Sequence, residues 1–132
     1  MKLPETVRNL FEGKNLAFLA TLNRDGSAQV TPVWSDTDGE HVLINTAVGR
    51  LKERHTKRDP RVTVSVADQA DPYLFTTIRG RVVERITGEA AAHHIDRLAT
   101  KYLGVEKYPY LQPGEQRILL KVEPERILLP RQ

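Results

Sequence analysis

Six cations stand within the thirteen residues of Gly49–Arg61, GRLKERHTKRDPR: Arg50, Lys52, Arg54, Lys57, Arg58 and Arg61, opposed only by Glu53 and Asp59. A guanidinium is a planar fork of N–H donors, and an ammonium is a mobile point charge. An Arg-x-Lys pair is therefore matched to the oxygens of a phosphate. The stretch follows the apolar run His41–Thr46 and ends at Asp59-Pro60. It reads as a strand end, a turn at Gly49 and a short basic helix, a place where an anion can be held. Taken alone, the same residues also read as a solvated charged helix, so the choice rests on the rest of the chain.

Other chemistries find little support. The chain has 132 residues and no Cys, which removes disulfides, a thiol nucleophile and a thiolate metal site. His93 and His94 are the one adjacent His pair, and neighbours on a helix point about 100° apart, so they cannot grip one ion from one face. They read as helix-surface histidines, and no metal is expected. There is no Gly-x-Ser-x-Gly and no Gly-rich phosphate loop, and no catalytic side chain is assigned. The net charge is +3, and the basic stretch alone exceeds it, so the remainder is near neutral. That stretch contains no aromatic residue for bases to stack on, so no nucleic-acid partner is expected. A small anion remains, and a barrel without its own acid, base or nucleophile points to a bound cofactor as the carrier of the chemistry. No run approaches the roughly 20 apolar residues of a membrane span, and the N-terminus has no signal-like apolar segment. A single cytoplasmic domain over residues 1–132, without a membrane partner, is the expectation.

The elements that must position the basic turn follow from periodicity and punctuation. A helix is predicted over 4–12, with Val7, Leu10 and Phe11 on one face. Residues 15–22 read as a continuously buried strand. The turn at Asn23–Gly26 leads to a strand over 28–35, and a second Asp-Gly turn leads to one over 41–46, so three strands form a meander. Pro32 cannot donate to a ladder, so its strand is an edge, or breaks there, or lies against a planar ligand. Further strands are predicted over 62–67 and 73–86, with Gly80 marking a bulge or a close approach. A helix opens at Thr87 as its cap and ends before Gly104. A Pro-bearing loop spans 108–114. A strand over 117–122 is broken by Pro124, and a short β piece follows over 126–129. The chain is thus mainly β, with six or seven antiparallel strands forming a small closed or half-open barrel carrying two or three helices.

Four motifs carry a resemblance to a known family: Phe18-Leu-Ala-Thr-Leu-x-x-Asp-Gly26; Gln29-Val-Thr-Pro-Val-Trp34; Asn45-Thr46 followed by Gly49-Arg-x-Lys-x-Arg54 and Arg58-Asp-Pro-Arg61; and Pro72-Tyr73 leading to Arg79-Gly-Arg81. The chain resembles the flavin-binding split β-barrel superfamily of pyridoxamine 5′-phosphate oxidase, and most closely its branch that uses the deazaflavin F420. One departure is His55, where that branch usually carries Asn. The resemblance implies a split β-barrel and an F420-dependent oxidoreductase that transfers a hydride between the reduced deazaflavin and a small unsaturated organic substrate. The alternatives are an FMN-binding relative of pyridoxamine 5′-phosphate oxidase and a non-catalytic cofactor-binding barrel. It further implies a homodimer with cofactor sites at the subunit interface. By the family pattern Val30, Thr31, Pro32 and Val33 lie beside the ring system. Arg50 and Lys52 hold the phosphate with Asn45 and Thr46 alongside, and Tyr73 and Phe75 come near, from the same subunit or its partner. Lys57, Arg58 and Arg61 then read as solvated or held in structural ion pairs.

Overall fold

The computed structural model describes residues 2–129. The elements run α1 (Glu5–Glu12), β1 (Ala17–Leu22), β2 (Ala28–Val33), β3 (Ser35–Thr37), β4 (Val42–Ala47), α2 (Leu51–Arg58), β5 (Arg61–Ala67), β6 (Phe75–Ile86), α3 (Glu89–Leu103) and β7 (Arg117–Leu128). All seven strands belong to one antiparallel sheet in the order β2-β1-β5-β6-β7-β4-β3. The two end strands are successive in the chain and separated only by Trp34. The sheet therefore curls until its ends meet at that residue, giving a half-barrel.

This corrects the expected meander. The stretch over 28–35 breaks at Trp34, and its two pieces serve opposite ends of the sheet. β2 pairs only with β1, and β4 takes β3 and β7 as neighbours, never β2. Pro32 stays in β2 opposite Phe18, and its missing N–H is tolerated because β2 is an end strand of the sheet.

The core follows from alternation. Leu19, Val42, Ile44, Val64, Ile78, Ile118 and Leu120 face inward and form one cluster, and α1 adds Val7, Leu10 and Phe11 to it. β4 is buried at all six positions because both its faces are covered. Val42 and Ile44 face the barrel, while Leu43 packs with Ala91 of α3 and Leu119 of β7. β1 differs from expectation. It alternates, leaving Phe18 exposed, because no helix covers its outer face.

Three more local expectations are revised. α3 is capped by Gly88, whose φ of 77° suits only glycine, and no side chain caps it. Pro124 does not break β7. It lies opposite Gly80 at a register shift, where the ladder is already interrupted. Gly80 does mark a close approach, since a Cβ there would meet the Glu123 carbonyl oxygen at 2.1 Å. His94 is not a surface residue but is buried against β3 and β4.

The bend at Trp34 is pinned from α3. The Tyr102 hydroxyl donates to the Asn15 carbonyl at 2.6 Å and accepts from the Ser35 amide at 3.2 Å. The Lys101 ammonium donates to the carbonyls of Phe11 (2.8 Å) and Ser35. Among the described residues no helix is long and apolar enough to cross a membrane.

Candidate cofactor site

Where β4 ends, Gly49 turns the chain with φ 94° and α2 begins. Glu53 fixes this start by accepting the Gly49 amide at 2.8 Å, while its other oxygen takes Arg85 at 2.6 Å. The turn thereby aims Arg50 and Lys52 into a hollow of about 350 Å³. Pro32, Val33 and Trp34 come to it from the bend, Asn45 and Thr46 from β4, Tyr108 and Tyr110 from the loop after α3, and Arg117 from β7.

Of the residues expected at the site, Pro32, Val33, Asn45, Thr46, Arg50 and Lys52 are brought together here. The other four do not line the hollow. Val30 is exposed on β2 opposite Ala20, and Thr31 is half-buried opposite Leu19. Tyr73 is 84% exposed in the turn before β6, and Phe75 begins that strand opposite Ala67. The remaining cations of the basic stretch point elsewhere. Arg58 donates to the Leu22 carbonyl, and Arg61 pairs with Asp59 at 2.8 Å.

One end of the hollow is cationic. Arg117 donates to Glu115 at 3.1 Å, and Arg50 lies 3.6 Å from the same carboxylate. Lys52 has no carboxylate partner among the described residues. Burial, and then the neighbouring charges of Arg50 and Arg117, hold its ammonium below the usual lysine range. Three cations against one carboxylate leave an excess of two positive charges, which suits an anionic phosphate group. Beside them the Thr46 hydroxyl is buried without a hydrogen-bond partner among the described residues. Buried polar groups are almost always paired, and of the described side chains with such an orphan atom (Arg8, Gln29, Ser35 and Thr46) Thr46 is the one that lines the hollow.

The other end is aromatic. Trp34 stacks on Tyr102 with centroids 5.3 Å apart and 6° between planes, and Tyr108 meets Trp34 edge-on at 6.1 Å. Arg117 lies 5.0 Å over the Tyr108 ring, joining the two ends. The residues present fit a phosphate-bearing, ring-containing cofactor. Sequence reasoning missed Trp34, Tyr108, Tyr110 and Arg117. Only Arg117 had a local signal, a lone charge opening the apolar run Ile118-Leu-Leu120.

A curled antiparallel half-barrel with a polar, phosphate-matched hollow at a strand end has a fold of the flavin- and deazaflavin-binding oxidoreductase type. The chain belongs to the pyridoxamine 5′-phosphate oxidase family, whose sequence profile matches residues 3–129. Among solved structures, one described as an F420 reductase is 28% identical, with a TM-score of 0.82 over 96% of this chain and 98% of that one. A conserved hypothetical protein from Mycobacterium tuberculosis is 20% identical, with a TM-score of 0.73 over 95% of this chain and 82% of that one. The HupZ protein of Group A Streptococcus is 18% identical, with a TM-score of 0.65 over 95% of this chain and 91% of that one. These last two share the fold.

Proposed function

We propose that this protein is an F420-dependent oxidoreductase that moves a hydride between the reduced deazaflavin and a small unsaturated organic substrate. The observation that carries the reading is the excess of two positive charges beside the unpartnered Thr46 hydroxyl at one end of the hollow. The similarity to an F420 reductase along nearly the whole of both chains supports a deazaflavin over FMN. When bound, the cofactor would supply the hydride chemistry. The chain's own part is binding and orientation. Lys52, Arg50 and Arg117 would hold the phosphate, Thr46 would add a hydroxyl, and Pro32, Val33 and Trp34 would form the wall beside the ring. In this reading the enzyme is a cytoplasmic homodimer. The partner would approach the uncovered face that carries Val30, and Tyr73 and Phe75 would reach the partner's site.

The test is a fluorescence titration of the purified protein with F420 and with FMN. F420 is expected to bind and FMN to bind far more weakly. A purified protein that is yellow with the absorption band of a flavin, not that of F420, would instead assign FMN. Tight F420 binding with no hydride transfer across a panel of enones and quinones would make the protein a binder without catalysis. Lys52→Ala should cost about 1.5–3 kcal/mol, the range for a hydrogen bond to a charged group. Wild-type affinity should also fall at alkaline pH. The ammonium binds the anion only while protonated, and its pKa lies below the ordinary 10.5, so the loss begins at lower pH than for a free lysine. Unchanged affinity in Lys52→Ala would remove the phosphate assignment.

A further inference from the structure

A chain of hydrogen bonds runs from the wall of the hollow to the surface along β7, β4, α3 and β3. Arg117 Nε donates to Asn45 Oδ1 at 2.9 Å. Asn45 Nδ2 donates to the Ala91 carbonyl at 2.9 Å and lies 3.0 Å from His94 Nδ1. His94 Nε2 lies 2.8 Å from Asp36 Oδ1, and Arg97 donates to Asp36 Oδ2 at 3.0 Å. The three inner members are buried: Arg117 is 7% exposed, Asn45 8% and His94 3%.

The polarity of every link is fixed by its donors. A guanidinium has no acceptor, so the Asn45 atom facing Arg117 is its carbonyl oxygen. The amide nitrogen therefore faces His94, and His94 Nδ1 must accept. The ring proton then sits on Nε2 and is donated to Asp36. With Asp36 holding that proton in place, one tautomer of His94 fits and the other sets two N–H groups against each other. Reversing the Asn45 amide would break three bonds at once: those to Arg117, Ala91 and His94.

We infer that His94 is a positioning residue: fixed by Asp36 in its Nε2–H form, it orients the Asn45 amide, and Asn45 holds the Arg117 guanidinium against the hollow. The arrangement follows the logic of ligand-orienting outer contacts at metal sites, where partners that never touch the bound group set its affinity. Its consequence for binding rests on the reading of the hollow as an anionic cofactor site. The internal link between His94 and Arg117 does not.

Two measurements test it. The first is the ¹⁵N spectrum of the His94 ring in the intact protein near neutral pH, in wild type and in Arg117→Ala. A single Nε2–H form is expected in wild type. In Arg117→Ala the ring should keep the Nε2–H form, because Asp36 still accepts its proton and the Ala91 carbonyl still holds the Asn45 amide. A proton on Nδ1 in either protein would overturn the inference. The second is F420 titration of His94→Phe, His94→Asn, Arg117→Ala and the double variant His94→Phe/Arg117→Ala. His94→Phe should weaken binding about tenfold, the equivalent of one hydrogen bond to a charged group. His94→Asn keeps an acceptor near the Nδ1 position and should restore most of that loss. In the Arg117→Ala background His94→Phe should add nothing, because it acts through Arg117. Additive losses would overturn the inference, since a residue that merely braces α3 would weaken both backgrounds alike. If wild type binds neither F420 nor FMN, the reading of the hollow fails, and the ring spectra alone decide the link.

Discussion

Thr46 is 1% exposed, lines the hollow, and its hydroxyl has no partner among the described residues. An unmade hydrogen bond on a buried hydroxyl costs about 1–3 kcal/mol. Thr46→Val keeps the shape of the side chain and removes the polar group. The variant should therefore be more stable than wild type by about 1 kcal/mol without cofactor, and should bind F420 several-fold more weakly. Urea denaturation and fluorescence titration measure the two effects separately. A more stable variant with undiminished affinity would take Thr46 out of the site. A less stable one would mean that its hydroxyl is already satisfied. Lys101 marks the contrast. Burial lowers its ammonium to about 8, with Asp36 and Glu12 pulling the other way. That perturbation is large, yet both carbonyls that Lys101 reaches are structural. The size of a pKa shift therefore does not by itself mark a binding group here.

At the scale of elements, Gly80 and Pro124 face one another where the β6–β7 ladder shifts register. A Cβ on residue 80 would stand 2.1 Å from the Glu123 carbonyl oxygen, which is backbone and cannot rotate away. Gly80→Ala should cost about 3 kcal/mol, the upper part of the range for overpacking, read as a lowered midpoint in chemical denaturation. A loss below about 1 kcal/mol would mean that the two strands separate freely at the bulge. The sequence announced this glycine, together with the turns at Gly26 and Gly49, the basic helix, and the apolar face of Val7, Leu10 and Phe11. Each is a local signal: a backbone demand or a periodicity within one element. Three features were not legible. The break at Trp34 depends on which strands lie at either end of the sheet. The continuity of β7 through Pro124 depends on a bulge in its neighbour. The burial of His94 depends on β3, fifty-eight residues away in the chain. The site divides in the same way. Arg50, Lys52, Asn45 and Thr46 are contiguous with one strand end and could be read from it, whereas Tyr108, Tyr110 and Arg117 reach the hollow only through the packing of α3 and β7.

At the scale of the molecule, the outer face of the β1–β2 hairpin is apolar and carries no helix. Register places Phe18 opposite Pro32 and Ala20 opposite Val30 on that face, with Phe18 48% and Val30 58% exposed. Pro32 belongs to this face and also lines the hollow, as does the exposed Leu16. A second copy covering the face would thus wall the open side of the hollow, which ties the proposed homodimer to the proposed site. A stable pair of this kind buries roughly 800 Å² per partner, and its centre tolerates charge poorly. Phe18→Lys with Val30→Lys would set charges into that centre while leaving the barrel core, which faces the other way, untouched. Light scattering should show a dimer for wild type and a monomer for the double variant, with unchanged far-ultraviolet circular dichroism. If the partner completes the site, F420 affinity should fall with the dimer and recover in neither excess cofactor nor low salt. A wild-type monomer would end the dimer proposal. A monomeric variant that binds F420 as tightly as wild type would separate the two ideas, leaving the hollow complete within one chain and Tyr73 and Phe75 without a part in binding.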